Sequence, residues 1–240
     1  MITGIHIASY GKDLKQKDGL ITLLEKINEI NGIERIRLGS LEPTLITDEF
    51  VNRLKNLSKI CDHFHLSLQS GCDETLARMN RRYTTQEFEE GTNRLKKAFQ
   101  HVSLTTDIIV GFPGETEEEF RKTEAFLKQI DFYRMHIFKY SKRKGTKAAE
   151  MPNQIPGEIQ EERSKILRNL SDENEKRHQE AYLGKEVEVL WEEKEDGFWK
   201  GHTTNYILVK MQSEKDLTNQ IRKAKITENQ KEFLLGTEVE

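Results

Sequence analysis

The stretch TTDIIVGFPGETEEEF, Thr105 to Phe120, constrains this chain more than any other. Ile108, Ile109 and Val110 are apolar without alternation, the pattern of a strand covered on both faces of a parallel sheet. Gly111 and Gly114 bracket Pro113, so the chain turns sharply and its backbone can approach a ligand closely. Thr116 with Glu119 reads as a capping box, and Glu115, Glu117 and Glu118 suit the positive end of the helix it opens. A phosphate loop is excluded, because GxxxxGKS or GxxxxGKT is absent and the acids would repel a phosphate. What remains is strand, ligand-approach turn, helix.

The same alternation runs from the start of the chain. Period and turn residues predict strands at Ile2–Ile7, Ile33–Ser40 and Tyr133–Ser141, and a strand and loop at His63–Gly71, around the opening one. Helices are expected at Leu20–Ile30, Asp48–Leu57, Asp73–Met79, Gln86–Phe99 and up to Gln129. Strand–helix repetition of this kind argues for an α/β fold, a parallel sheet or partial TIM-like barrel, with its chemistry at the carboxyl ends of the strands. A long charged helix, Glu158 to Ala181, follows with one narrow apolar stripe of Ile166, Leu167 and Leu170. From Gly184 the pattern changes to short alternating strands, as in a small antiparallel barrel. The expected units are 1–157, 158–181 and 182–240.

Composition excludes several classes. The chain is 35% apolar and 33% charged, with no apolar run near the roughly 20 residues of a membrane span and no signal-like start. Two cysteines, Cys61 and Cys72, make no disulfide framework and point to a cytoplasmic protein. A net charge of −3 means that any nucleic-acid site must be local.

The strand ends, taken in order, resemble one family: the radical S-adenosylmethionine methylthiotransferases. The matching pieces are TGIHIASYG, RIRLGSLEP, HFHLSLQSGCDETLARMNRRYT, TDIIVGFPGETEEEF and YSKRKGTKAAEMPNQIP. YLGKEVEVLWEE and GHTTNYILVKM look like the TRAM module, a small RNA-binding barrel. SLEP, QSGCDETL and YSKRKGT resemble the branch acting on threonylcarbamoyladenosine beside the tRNA anticodon; other branches act on isopentenyladenosine or on a ribosomal protein. The resemblance implies S-adenosylmethionine, two 4Fe-4S clusters and tRNA as cofactors and partner. The family's CxxxCxxC loop is absent, so the resemblance also implies the C-terminal portion of such an enzyme, with the N-terminal portion as a partner and little activity alone. A non-catalytic tRNA-binding fragment is the rival reading. An unrelated small-molecule barrel enzyme would need a catalytic Lys or Glu pair at the strand ends, which the sequence does not offer.

Within that frame Ser40, Glu42, Ser67, Gln69, Asp107, Gly111, Phe112 and Tyr140 are expected to face S-adenosylmethionine. Gln69 would serve ribose hydroxyls as donor and acceptor, and a loop amide bonding backbone is its ordinary alternative. Asp107 needs a partner among apolar neighbours: the ligand, Arg82 or, in its ordinary reading, neighbouring backbone. Gly111 and Phe112 would make room for the cofactor, with the acids that follow turned away. Arg81, Arg82, Lys142, Arg143 and Lys144 form a basic rim suited to carboxylate and phosphate, or else a solvated face. His202 and Asn205, in an expected hairpin turn, are the RNA-contact candidates of the last unit. Gly184–Glu240 carries 9 Lys and Arg against 12 Asp and Glu, so its RNA role rests on the resemblance.

Overall fold

The computed structural model describes residues 1–239. Helices α1 (Gly19–Asn28) and α2 (Asp48–Leu54) precede a wall of parallel strands, β1 (His63–His65), β2 (Ser103–Val110) and β3 (Arg134–Lys139). Between them run α3 (Asp73–Arg78), α4 (Thr85–Ala98) and α5 (Glu117–Ile130). Thr84 and Thr116 open α4 and α5 with complete capping boxes. The register sets Asp107 opposite His136 and Val110 opposite Lys139. Helix-facing residues such as Phe64, Leu66, Leu68, Ile108 and Val110 pack into one core with Phe120, Leu127 and Leu167.

Two expected strands shrink. Ile33–Ser40 joins the wall only through single bridges, Ile36 to Ile60 and Ile2 to Leu38, with Leu41 to Leu66 just beyond. The Ile2–Ile7 segment is one bridge, after which the chain turns away and closes a 3-10 turn at Ile7–Ser9. Ile5 is fully exposed there: its apolar pattern meets no partner on the outer side among the described residues.

A short helix α6 (Lys147–Glu150) and a longer one, α7 (Gly157–Glu180), follow. Helix α7 covers the outer edge of β3. The Ser171 hydroxyl accepts from Met135 N–H at 2.9 Å, and the Asn174 amide donates to the Phe132 carbonyl at 3.0 Å. A sheet edge left bare would invite foreign strands. Here side chains of a helix satisfy it.

The strands β4 (Glu186–Glu195), β5 (Phe198–Thr203), β6 (Leu208–Gln212), β7 (Gln220–Asn229) and β8 (Leu234–Glu238) close into a barrel ordered β4-β5-β6-β8-β7. All neighbours are antiparallel except β6 and β8. Val189, Trp191, Trp199, Val209, Met211 and Ile226 fill it, so both tryptophans are core. The fold is mixed α/β: a parallel wall followed by a closed five-stranded barrel.

Candidate functional site

Backbone bonds gather the strand ends on which the expected residues stand. Gln69 N–H donates to the Asp107 carbonyl and Ile109 N–H to the Gln69 carbonyl, each at 2.9 Å; Tyr140 N–H reaches the Val110 carbonyl at 2.9 Å. Gln69, Asp107 and Tyr140 therefore lie on adjacent strands of one sheet. Gln69 holds a left-handed backbone, φ +71°, which those two bonds enforce. The Tyr83 hydroxyl, donating toward the Ser67 and Leu68 carbonyls at 2.7 and 2.9 Å, ties down the end of the same strand. Burial pushes that phenol up to about 12. Phe112 and Tyr140 meet edge to face at 5.3 Å, and the buried Tyr140 hydroxyl has no hydrogen-bond partner among the described residues.

The turn after β2 is built differently from the expectation. Gly111 has φ +71°, and a Cβ there would sit 2.4 Å from Gln160 Cγ, so its space is filled by α7 rather than left for a ligand. Glu115 is not a solvated dipole partner. It is buried, accepts from Gly111 N–H at 2.7 Å, and pairs with Arg163 of α7 at 2.7 Å. Burial pushes its carboxyl up, opposed by the Gly111 bond and the Arg163 charge. Glu119 is buried against Arg78.

Other expected residues find unexpected partners. Glu42 is 2.5 Å from His6 Nε2. Asp107 lies 3.3 Å from His65 Nε2, not on Arg82. Burial pushes the Asp107 carboxyl up, but His65 and His136 outweigh that and hold it below the ordinary carboxylate range. Ser40 is exposed and Ser67 half-buried. Asn205 is buried and its amide is consumed inside the molecule, donating to the His101 carbonyl at 3.0 Å and the Tyr182 hydroxyl at 2.6 Å. His202 sits within β5 rather than in the turn, stacked on Tyr206 at 4.2 Å with its Nδ1 on Glu192 at 2.6 Å.

Arg81, Arg82, Lys142, Arg143 and Lys144 are all exposed, and none has a carboxylate within ion-pair distance among the described residues. Arg81 and Arg82 precede Tyr83, which is bonded to the end of β1; Lys142–Lys144 follow β3. The rim therefore lies at the strand-end side.

Sequence reasoning named Asp107, Ser40 and His202 but missed His63, His65 and His136, and that all six meet at the inner face of the wall. His63 and His65 alternate along β1, and Asp107 and His136 oppose each other on β2 and β3. With Ser40, Arg37, His202 and Tyr206 these residues line a cavity of about 590 Å³ between wall and barrel. Its lining omits Gln69, Phe112 and Tyr140. Alternation of His63 and His65 inside HFHLSLQ was the signal available. Arg37 also stacks over Tyr206 at 3.5 Å, closing the cavity from the barrel side.

The fold is a parallel α/β wall, an architecture that carries its chemistry at strand ends in barrels. Residues 4–127 match the Radical SAM superfamily, and the chain belongs to that superfamily. It is 40% identical over 94% of its length to a protein of Bacillus subtilis named threonylcarbamoyladenosine tRNA methylthiotransferase MtaB, covering 51% of that protein. It is 39% identical over 98% of its length to a tRNA-2-methylthio-N(6)-dimethylallyladenosine synthase of Caldicellulosiruptor saccharolyticus, covering 50% of it. The chain thus spans about half the length of these relatives. Among solved structures, coproporphyrinogen III oxidase of Escherichia coli, a radical SAM enzyme, aligns with 66% of this chain and 37% of its own at TM-score 0.54 and 17% identity, a likeness of fold. No described helix is long and apolar enough to cross a membrane.

The superfamily implies S-adenosylmethionine and an iron–sulfur cluster. Clusters need several thiolates in proximity. Cys61 and Cys72 are both buried, and the Cys72 thiol donates to Glu74 at 2.9 Å, so this chain's cysteines do not fit a cluster. At the strand ends, the unpartnered Tyr140 hydroxyl and the conformationally constrained Gln69 are of a chemistry that suits nucleoside hydroxyls.

Proposed function

We propose that this chain is the cofactor- and tRNA-facing part of a methylthiotransferase that acts on the adenine of threonylcarbamoyladenosine beside the anticodon. The observation that carries the reading is the convergence of Gln69, Phe112 and Tyr140 at neighbouring strand ends beneath an unpaired basic rim. Gln69 and the Tyr140 hydroxyl would hold the nucleoside of S-adenosylmethionine, with Ser40, Glu42 and Ser67 along the same edge. When bound, that cofactor supplies the radical chemistry for which the superfamily is named. Cluster ligands, for one cluster or two, would come from sequence this chain does not contain. Arg81, Arg82, Lys142, Arg143 and Lys144 would take the anionic threonylcarbamoyl group and the phosphates around it. The closed barrel is read as a TRAM-type RNA module, offering its outer surface because its aromatics are internal. Such a protein works in the cytoplasm.

The near-equal identity to the dimethylallyladenosine synthase keeps a second substrate in view. Mass spectrometry of tRNA nucleosides from a strain deleted for the whole gene, complemented with wild-type or Gln69→Ala alleles, separates them. Loss of methylthiolated threonylcarbamoyladenosine, restored by wild type and not by Gln69→Ala, is expected. Loss of the isopentenyl derivative instead moves the assignment, and unchanged nucleosides overturn it.

A further inference from the structure

Below the strand ends, the inner wall carries a cluster that the cofactor reading does not need. His65, Asp107 and His136 come from three adjacent strands, and one donor atom of each lies within 4.8 Å of the other two. A tetrahedral ion with bonds of about 2.0–2.1 Å separates its ligand atoms by about 3.3–3.4 Å. His65 Nε2 and Asp107 Oδ2 stand at 3.3 Å. One edge of such a site is preset, and a side-chain rotation of the exposed His136 supplies the rest.

The hydrogen bonds behind His65 orient it. Its Nδ1 is 3.0 Å from Thr105 Oγ1, which is 3.3 Å from His63 Nε2. Thr105 Oγ1 thus holds His65 Nδ1 from behind and leaves its Nε2 turned to Asp107. In the metal-free chain His65 Nε2–H donates to Asp107, and a bound metal ion would displace that proton. A histidine whose second nitrogen is held by a neighbour is the arrangement that metal-ligating histidines adopt.

We propose that His65, Asp107 and His136 form a three-ligand site for a divalent transition-metal ion, zinc(II) being the reference, with its remaining positions open to the cavity. Two imidazoles with one carboxylate suit zinc or iron(II) and disfavour magnesium or calcium. The site lies inside the wall and does not depend on the tRNA reading.

The test titrates the untagged, metal-stripped 240-residue chain with zinc(II) by calorimetry near neutral pH, with magnesium(II) as comparison. One zinc per chain at micromolar affinity or better, and no magnesium binding, is expected. Asp107→Asn and His136→Gln should each weaken zinc at least roughly tenfold, while Cys61→Ser with Cys72→Ser leaves it unchanged. Circular dichroism checks that each variant is folded; His136, being exposed, carries the test if Asp107→Asn is not. Zinc binding that is absent, equal in His136→Gln, or lost with the cysteines overturns the proposal.

Discussion

The parallel wall and the closed barrel use their strand faces in opposite ways. In the barrel every strand has two neighbours, and the inward residues, Val189, Trp191, Val209 and Ile226 among them, are fully or almost fully buried on one another. The polar atoms inside are few, the indole N–H groups of Trp191 and Trp199 among them. In the wall, one face packs on helices through Phe64, Leu66 and Ile108, while the other carries His65, Asp107 and His136 into a cavity. Closure uses up the interior for packing; an open wall leaves half of each strand free for chemistry. The wall then has to stabilise its exposed parts by other means, and it does so with polar side chains of α7: Arg163 on Glu115, Ser171 and Asn174 on the β3 edge.

That contrast can be broken at its strongest points. Trp191→Ala empties the middle of the barrel and should cost about 3–5 kcal/mol in urea unfolding, as large core truncations do. Arg163→Ala should match it within the wall, about 3–5 kcal/mol, because the Glu115 carboxylate is left buried without its partner. Adding Glu115→Gln should recover most of that loss. If Arg163→Ala costs under about 1 kcal/mol, polar staples do not hold the wall and the contrast fails.

A pH series sharpens the same comparison. Burial, with Arg37 nearby, holds His63 down to about 3, against 6.5 for a free imidazole. The unfolded chain therefore takes up a proton that the folded wall refuses, so stability is highest above 6.5 and falls as pH drops from there toward 3. The contribution is on the order of 5 kcal/mol and should vanish in His63→Leu. Asp107 acts lower: its carboxyl is held down, so its contribution is lost only below its free value of 3.8. The barrel has no such buried imidazole among the described residues, and an unfolding signal from its tryptophans should show less of this slope if the two regions separate.

Sequence pattern read the barrel well because alternation of period two is a local signal, and closure lets every strand express it. The wall was legible where strands are flanked on both sides, as at Thr105–Val110, and not at Ile2–Ile7 or Ile33–Ser40, whose pairing depends on neighbours far along the chain. Site residues divide in the same manner. Gln69 and Tyr140 follow from strand ends, a local inference. The distant partners of Glu115, Glu42 and Asn205, namely Arg163, His6 and His101, lie 36 to 104 residues away, and no spacing rule reaches that far. Helix α7 was read by its apolar stripe, yet its buried Arg163, Ser171 and Asn174 are the residues that position the wall.

The seam between the regions decides how independent they are. Asn205, in the turn after β5, donates to the His101 carbonyl of the wall and to Tyr182 at the barrel's start, and its Oδ1 accepts from Thr203 at 2.6 Å. Arg35 reaches across to the His202 carbonyl at 2.7 Å. Removing a buried amide leaves its partners unsatisfied, so Asn205→Ala should cost about 1–2 kcal/mol, less than either core change. Tyr182→Phe takes away one of the same bonds, and the two substitutions should be less than additive in a double-mutant cycle. With the seam intact, tryptophan fluorescence of the barrel and far-ultraviolet dichroism of the helices should fall together in urea. In Asn205→Ala combined with Arg35→Ala they should part, the barrel surviving to higher urea because it alone is closed. Coincident curves in that variant would mean that wall and barrel are one cooperative unit held by more than these bonds, through Tyr133, which packs into the barrel's core from the wall.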